Sequence, residues 1–496
     1  MKAPILALAV AAALPAAALA ESAITVYSSA APGALDARTF ASGNEGAVVP
    51  GYALVREDRA FNLKAGRNTL RIDDVPAFID PTTVSFTSLT DPARTRVIDQ
   101  SYEFDLTSTS KLLSRYLGRD ITVEQPRGQG VELVSGTLVG TQGAIILKQA
   151  DGSVRVVPNN AGVRLPSLPG GLIAKPTLVW DVEAAATGPQ KARFTYQTAG
   201  MTWWTDYNLT YSEPAPGACS VDVAAWVTLV NQSGASFEDV KLKLVAGDVQ
   251  RVQRAQHAPQ EEAYAASAAP LRAKGFEEKS FFEYHMYTLG HATSLAQNST
   301  KQIELFPAAT HVGCEKVLVY YGQGSRPYYG GLVTDRDPGM QANRKVDVYL
   351  RVKNSAANHL GIALPAGRIR VAQLDPADKS LEFVGEDAIG HTAREETVQV
   401  KLGSAFDVVG ERRQTDFHVD TSAKWMEEEI EVKVRNRKVG QPVAVDVRES
   451  LYRGSNWTIT RKSQEYARED SRTIRFPVRI APNGEAVVRY TVRYTW

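Results

Sequence analysis

Apolar and polar positions alternate through most of the chain. Val, Ile, Thr and Tyr alternate with polar residues in short runs closed by Gly, Pro, Asn and Asp, the pattern of half-buried strands. The first runs are SAITVYSS, GYALVREDRAFNL and NTLRIDDVP, with KAGRN as the turn between the last two. They predict an N-terminal β domain over residues 21–105. One segment changes period. In TSTSKLLSRYLGRD, Ser110 can cap a helix, Leu112, Leu113, Tyr116 and Leu117 share its apolar face, and Gly118 suits a left-handed stop. The runs that follow, DITVEQ, VELVSGTLVG and GAIILKQADGSVRVVP, hold a hairpin turn at Asp151-Gly152. Together they predict a helix plus a small SH3-like barrel over 106–170.

LPSLPGGLIAKP marks a boundary, and 171–496 reads as nearly continuous strand. Three times an alternating strand closes on Asn, turns, and is followed by another strand: at Asn231, Asn354 and Asn436. Asn caps turns through its side chain and tolerates positive φ. The copies keep no fixed period, so they read as hairpins of immunoglobulin-like sandwich lobes rather than a solenoid. The expected fold is therefore mainly β: a multi-lobed β-sandwich with one helix-plus-barrel insert. A polar, Ala-rich segment at 251–280 has no β period and reads as a long exposed loop, with a lid as the functional alternative. The closing RYTVRYTW places Tyr490, Val492, Tyr494 and Trp496 on one face. Outer-membrane barrels also end this way, but the interruptions upstream argue for a closing sandwich strand.

The start of the chain adds a location. Lys2, an apolar run from Ile5 to Leu14, and Ala18-Leu19-Ala20 match a secretory signal peptide over 1–20. Export into the periplasm of a Gram-negative bacterium is the expectation. No stretch is long and apolar enough for a transmembrane helix. Without Lys2, the 56 basic residues become 55, equal to the 55 acidic ones, so the charge gives no reason to expect nucleic acid as partner. An oxidising compartment allows Cys219 and Cys314 to pair. Such a bridge would contribute up to ~4.7 kcal/mol in the chain-entropy treatment of a ~100-residue loop.

Candidate chemistry is sparse. Seven histidines are scattered without HExxH or zinc spacing, and Ser325 in GQGSRP is no nucleophile elbow. His285 and His291 would share a face only if one strand ran through both. Asp335 and Asp337 in TDRDPGM lack the later ligands of a calcium loop and read as a solvated turn. Glu427 to Glu429 read as the acidic start of a strand. No catalytic residue, metal site or cofactor follows from these patterns. Aromatic rings are the remaining signal. In AGMTWWTDYNLTY, strand alternation puts Trp203 and Tyr207 toward a core and Trp204 and Asp206 on the side to search for a ligand. VLVYYGQGSRPYYGG offers Tyr320, Tyr321, Tyr328 and Tyr329 around a Gly-rich turn, either as stacking surfaces or as cover for a neighbouring lobe.

YQTAGMTWWTDYNLTY, TLVNQSGASFEDVKLKLVAGDVQRV, FFEYHMYTL, GIALPAGRIRV, AFDVVGERRQTDF and the closing RESLYRGSNWTITRKS…FPVRIAPNGEAVVRYTVRYTW resemble the bacterial family named domain of unknown function 4139. Its relatives are sometimes labelled mucoidy-inhibitor-A-like. The resemblance covers about residues 100–496, and the N-terminal AGRNTLRIDDVPAFIDPTTVSF is similar to the domain that often precedes it. It implies a β-rich, sandwich-like C-terminal domain and no agreed activity. The coiled coil of many relatives is missing, and the helix-plus-barrel segment stands in its place. The expected function is a non-enzymatic envelope binding or scaffolding protein for a protein or glycan partner. An envelope hydrolase, metal-dependent or not, and an outer-membrane barrel are the alternatives.

Overall fold

The computed structural model describes residues 22–27, 49–104, 108–128, 130–167, 173, 175–215, 217–247, 249–250, 276–323, 331–340, 342–375 and 377–496. The signal-peptide segment 1–20, most of the polar loop, Ser325, Tyr328 and Tyr329 lie outside them. The fold is mainly β, with several sheets and one α-helix among the described residues. No helix there is long and apolar enough to cross a membrane.

The N-terminal strands do not make a domain of their own. Ser22–Tyr27 lies parallel to Phe237–Ala246 and antiparallel to Tyr52–Leu63, which in turn pairs with Gly188–Ala199. These strands belong to an eight-stranded sheet that ends at Ile79–Ser88. A three-stranded layer, Gly66–Ile72, Thr177–Ala184 and Arg96–Glu103, packs on it. Trp180 of that layer meets Phe194 of the larger sheet edge-on at 5.6 Å. The expected separation of 21–105 from the chain beyond 171 fails for a simple reason. Alternation shows which side of a strand is apolar, not which strand lies beside it, and Ile24 finds its partner in Leu242, far along the chain.

The insert keeps its own core. The helix Thr109–Arg115 and a five-stranded antiparallel sheet enclose Tyr116, Ile121, Val123, Val134, Leu138, Ile145, Leu147 and Val157. Ser108, not Ser110, is the cap, its hydroxyl accepting from Lys111 N at 3.3 Å. Asp151 turns the predicted hairpin, its carboxylate accepting from the Ser153 amide.

A thirteen-stranded sheet forms the rest. Two long strands, Ser299–Tyr321 and Thr397–Asp420, carry it past one core and into a second. The first core joins the N-terminal strands to Trp203, Tyr207 and Val400. The second is a pair of layers: Val445, Val447, Phe476 and Val478 face Ile430, Val432, Val488 and Tyr490. Tyr490, Val492 and Tyr494 are buried in it, so the last strand turns its aromatic face to protein rather than to lipid. Phe276–Ser280 belongs to a strand, Phe276–Phe281, that pairs with Tyr284–Leu289, so it is not part of a loop. The charged run EEK hid the alternation, because Glu278 is the residue that points inward.

The recurrent asparagines clamp the hairpins. Asn231 donates to the carbonyls of Ala235, Leu295 and Ala296, and its oxygen accepts from Ser233. Asn354 donates to Ile362 and Ala393 and accepts from the Gly361 amide. Asn436 donates to Gln441 and Ala481 and accepts from the Lys438 amide. All three are buried, and none has positive φ. The residue type is set by its amide, which can donate and accept at once, and not by tolerance of a left-handed backbone.

Candidate functional site

The strand Met201–Ser212 runs between Ser220–Asn231 and Gly367–Leu374 and has one face in the core. Trp203 and Tyr207 are buried there, their polar atoms donating to the carbonyls of Val26 (3.1 Å) and Pro365 (2.8 Å). Trp204 and Asp206 point the other way, onto the outer face of the large sheet.

That outer face is built around a covered carboxylate. Asp206 is only 4 % exposed. One of its oxygens accepts from Trp204 Nε1 (2.9 Å) and Thr228 Oγ1 (2.7 Å). The other accepts from Arg368 through Nε (3.2 Å) and Nη2 (3.1 Å), with Arg370 at 3.6 Å. The carboxylate has no lone pair aimed at solvent and is not available as a general base. Trp204 is not a stacking surface either, because Val49 and Val230 cover it. The ring that does meet solvent is Trp226, 38 % exposed and directly beside Asp206 in the strand register. Around it stand Asn208, Gln302, Glu304, Arg368 and Arg370. The signal for Trp226 was in the sequence: in VDVAAWVTLV its parity is that of Asp222, opposite to Val221, Val223 and Val227.

Of the four tyrosines around the Gly-rich turn, only Tyr320 and Tyr321 are among the described residues. Tyr320 is fully buried, its hydroxyl donating to the Asn343 carbonyl. The reason is strand order. The second half of its strand is hydrogen-bonded on both edges, to Lys345–Lys353 and to Val443–Ser450, so its inner side is in the middle of the second core. Gly410 leaves room for the ring, which a methyl group there would overlap. Tyr321 is half-buried, and its hydroxyl accepts from Arg448 at 3.2 Å.

Sequence reading missed a buried ionic cluster in the second core. Arg453 donates to Glu428 at 3.0 and 3.3 Å and to the carbonyls of Val333 (3.2 Å), Asp335 and Arg336 (3.4 Å). Arg412 donates to Glu449 (2.9 Å) and to the Gly339 carbonyl, and Tyr490 donates to the same Glu449 at 2.6 Å. Burial works against the Arg412 charge, but the adjacent Glu449 carboxylate outweighs it and holds the guanidinium charged, whereas burial and then Glu449 both keep the Tyr490 hydroxyl protonated. TDRDPGM is thus fastened by its backbone, while the Asp335 and Asp337 side chains stay exposed. A methyl group on Gly339 would overlap Gln414, Glu428 and Arg453. Of the three neighbouring acids only Glu428 turns inward; Glu427 and Glu429 pair outside with Arg493 (3.1 Å) and Arg461 (2.9 Å).

Cys219 and Cys314 form a disulfide across neighbouring strands, with Cα atoms 4.9 Å apart. His285 is held by Glu278, Nδ1 to Oε1 at 2.8 Å, and Glu278 also takes Arg394. His291 falls beyond the end of that strand. Among the described residues, no three His, Cys, Asp or Glu side chains come together to hold a metal ion. A cleft of about 400 Å³ opens between the end strands of the two N-terminal layers, near Val84, Phe86 and Gln100, away from all of these groups. Compared with known proteins, the chain matches no family model and no curated protein.

Proposed function

We propose that this is an exported cell-envelope protein that binds a glycan or protein partner on the outer face of its large sheet and does not transform it. The observation that carries this reading is the surroundings of Trp226. An aromatic ring is open to solvent, and the carboxylate beside it is already saturated by Trp204, Thr228 and Arg368. Such a face offers stacking and hydrogen bonding without a free acid or base. The Cys219–Cys314 bridge supports an oxidising compartment. Membership in the domain of unknown function 4139 family, immunoglobulin-like lobes and an SH3-like insert belong to the same proposal. The test is a benzophenone side chain at Asn208, which is exposed on this face, with Val439 on the far lobe as control. Irradiation of cells should give a reproducible adduct from position 208 only. Equal yields from both positions, or none, would remove the reading.

A second reading, an envelope hydrolase, is favoured by one observation: Glu278 orients the half-exposed His285 as carboxylates orient general bases. Turnover of an esterase, amidase or glycosidase substrate that His285→Ala abolishes would establish it.

A further inference from the structure

We infer that the Trp226 face takes an extended, uncharged glycan laid across the strands from Trp226 to Phe383. The inference rests on the binding reading above and commits it to one ligand class. Strand register defines the track. Trp226 is beside Asp206, which is beside Arg368; Asn208 is beside Arg370; Thr210 is beside Ala372, which is beside Phe383. Phe383 therefore reaches the same face four positions along and three strands across from Trp226. At ~3.4 Å per residue and ~4.8 Å per strand, the two rings lie roughly 20 Å apart, the span of several sugar rings. Phe383 is 65 % exposed.

The groups between the rings suit hydroxyls. Asn208 contributes an exposed amide, Thr210 a hydroxyl, and Arg370 the edge of a guanidinium. The rings supply flat surfaces for the apolar faces of pyranoses. Charge selects against acidic ligands. Arg368 and Arg370 face Asp206, Asp222, Glu304 and Glu386 on the same side of the sheet, and both are already engaged, with Asp206 and, for Arg370, Glu386 at 3.5 Å. No positive excess remains to attract an acidic polysaccharide, an anionic lipid or nucleic acid. Nor does the polar stretch between the rings offer the apolar centre that a protein interface buries. The surface is an open sheet face, which suits the middle of a chain rather than its end.

The test titrates the purified protein with cellohexaose, laminarihexaose, maltohexaose and chitohexaose, following tryptophan fluorescence and calorimetry, with an alginate hexamer as the acidic control. At least one neutral hexaose should bind and the alginate should not. Trp226→Ala should weaken binding about tenfold or more, while Trp226→Phe, which keeps a ring, should weaken it less. Phe383→Ala should weaken the hexaose and leave the matching disaccharide unchanged. Silence with every neutral hexaose overturns the inference, as does tighter binding of alginate or indifference to both alanine variants. The benzophenone adduct separates this failure from that of the wider reading: a protein adduct at 208 keeps the binding module and removes the glycan.

Discussion

Replacing Arg453 by Met should destabilise the second core more than any other single charge removal. Arg453 is 0 % exposed and Glu428 is 1 % exposed, so neither is reached by water. Without the guanidinium, Glu428 keeps only Gln414 Nε2 at 2.9 Å, the Val333 and Asp335 carbonyls lose the Arg453 donor, and the Arg336 carbonyl keeps only the Gly339 amide. Removing one partner of a buried pair costs roughly 3–5 kcal/mol, because the remaining charge stays desolvated. Arg453→Met combined with Glu428→Gln removes that stranded charge and should recover a substantial part of the loss, since contacting residues couple by about 0.5–3 kcal/mol.

Two cores in one chain make a single global unfolding energy a poor readout. Hydrogen exchange followed peptide by peptide is the suitable assay. In Arg453→Met, protection should fall in Trp425–Asn436 and in the strap 331–340, while Tyr52–Leu63 in the other core keeps its rate. A loss below about 1 kcal/mol, or a double variant no better than the single one, would refute the assignment of Arg453 as the strap's anchor.

Other outcomes follow from the same contacts. Asn354→Ala strips a donor from two carbonyls and the acceptor from the Gly361 amide, and should cost roughly 2–4 kcal/mol of protection against hydrogen exchange in Lys345–Lys353. Asn354→Asp, of equal shape but unable to donate, should be no milder; a near-neutral Asp variant would show that shape alone matters. Burial raises the Glu278 carboxyl, but hydrogen bonds from His285 and Arg394 outweigh it and hold the group below the usual glutamate range. Its contribution is complete above that range and is lost as pH falls through the lowered value. The protection factor of the hairpin 276–289, corrected for the pH dependence of intrinsic exchange, should therefore fall on acidification below the ordinary glutamate range, and Glu278→Gln should flatten that dependence.

What could be read from the sequence was whatever parity decides. Alternation separated Trp203 and Tyr207 from Trp204 and Asp206 because adjacent residues on a strand cannot share a face. The same rule applied to VDVAAWVTLV marks Trp226 as outward, and applied to EEEIEV it separates Glu428 from Glu427 and Glu429. Parity does not decide what covers a face. Trp204 points outward yet is buried under Val49, and Tyr320 is buried because its strand has partners on both edges. Both facts depend on strands distant in sequence, as does the pairing of Ser22–Tyr27 with Phe237–Ala246 that erased the expected N-terminal domain. The ionic cluster under Gly339 was hidden for a related reason: an inward Arg and an inward Glu carry no mark that separates them from solvated ones until the strap is placed over them.

Asp206 connects the fold to the proposed binding face, and its replacement distinguishes positioning from contact. Its carboxylate holds Trp204 and Arg368 in fixed orientations on the same sheet face as Trp226, so the surface is organised before any ligand arrives. Preorganised side chains lose little rotamer freedom on binding, whereas each mobile one costs about 0.5–1.5 kcal/mol to order. Asp206→Asn keeps an oxygen for Trp204 and Thr228 but turns an amide toward Arg368, removing the charge-assisted pair worth about 1.5–3 kcal/mol. Ligand affinity should drop by less than with Trp226→Ala, and the drop should appear as a less favourable binding entropy, with Trp204 fluorescence shifted in the free protein. An unchanged Trp204 signal together with an affinity loss equal to that of Trp226→Ala would mean that Asp206 touches the ligand itself, which its saturated carboxylate does not allow without opening the pair.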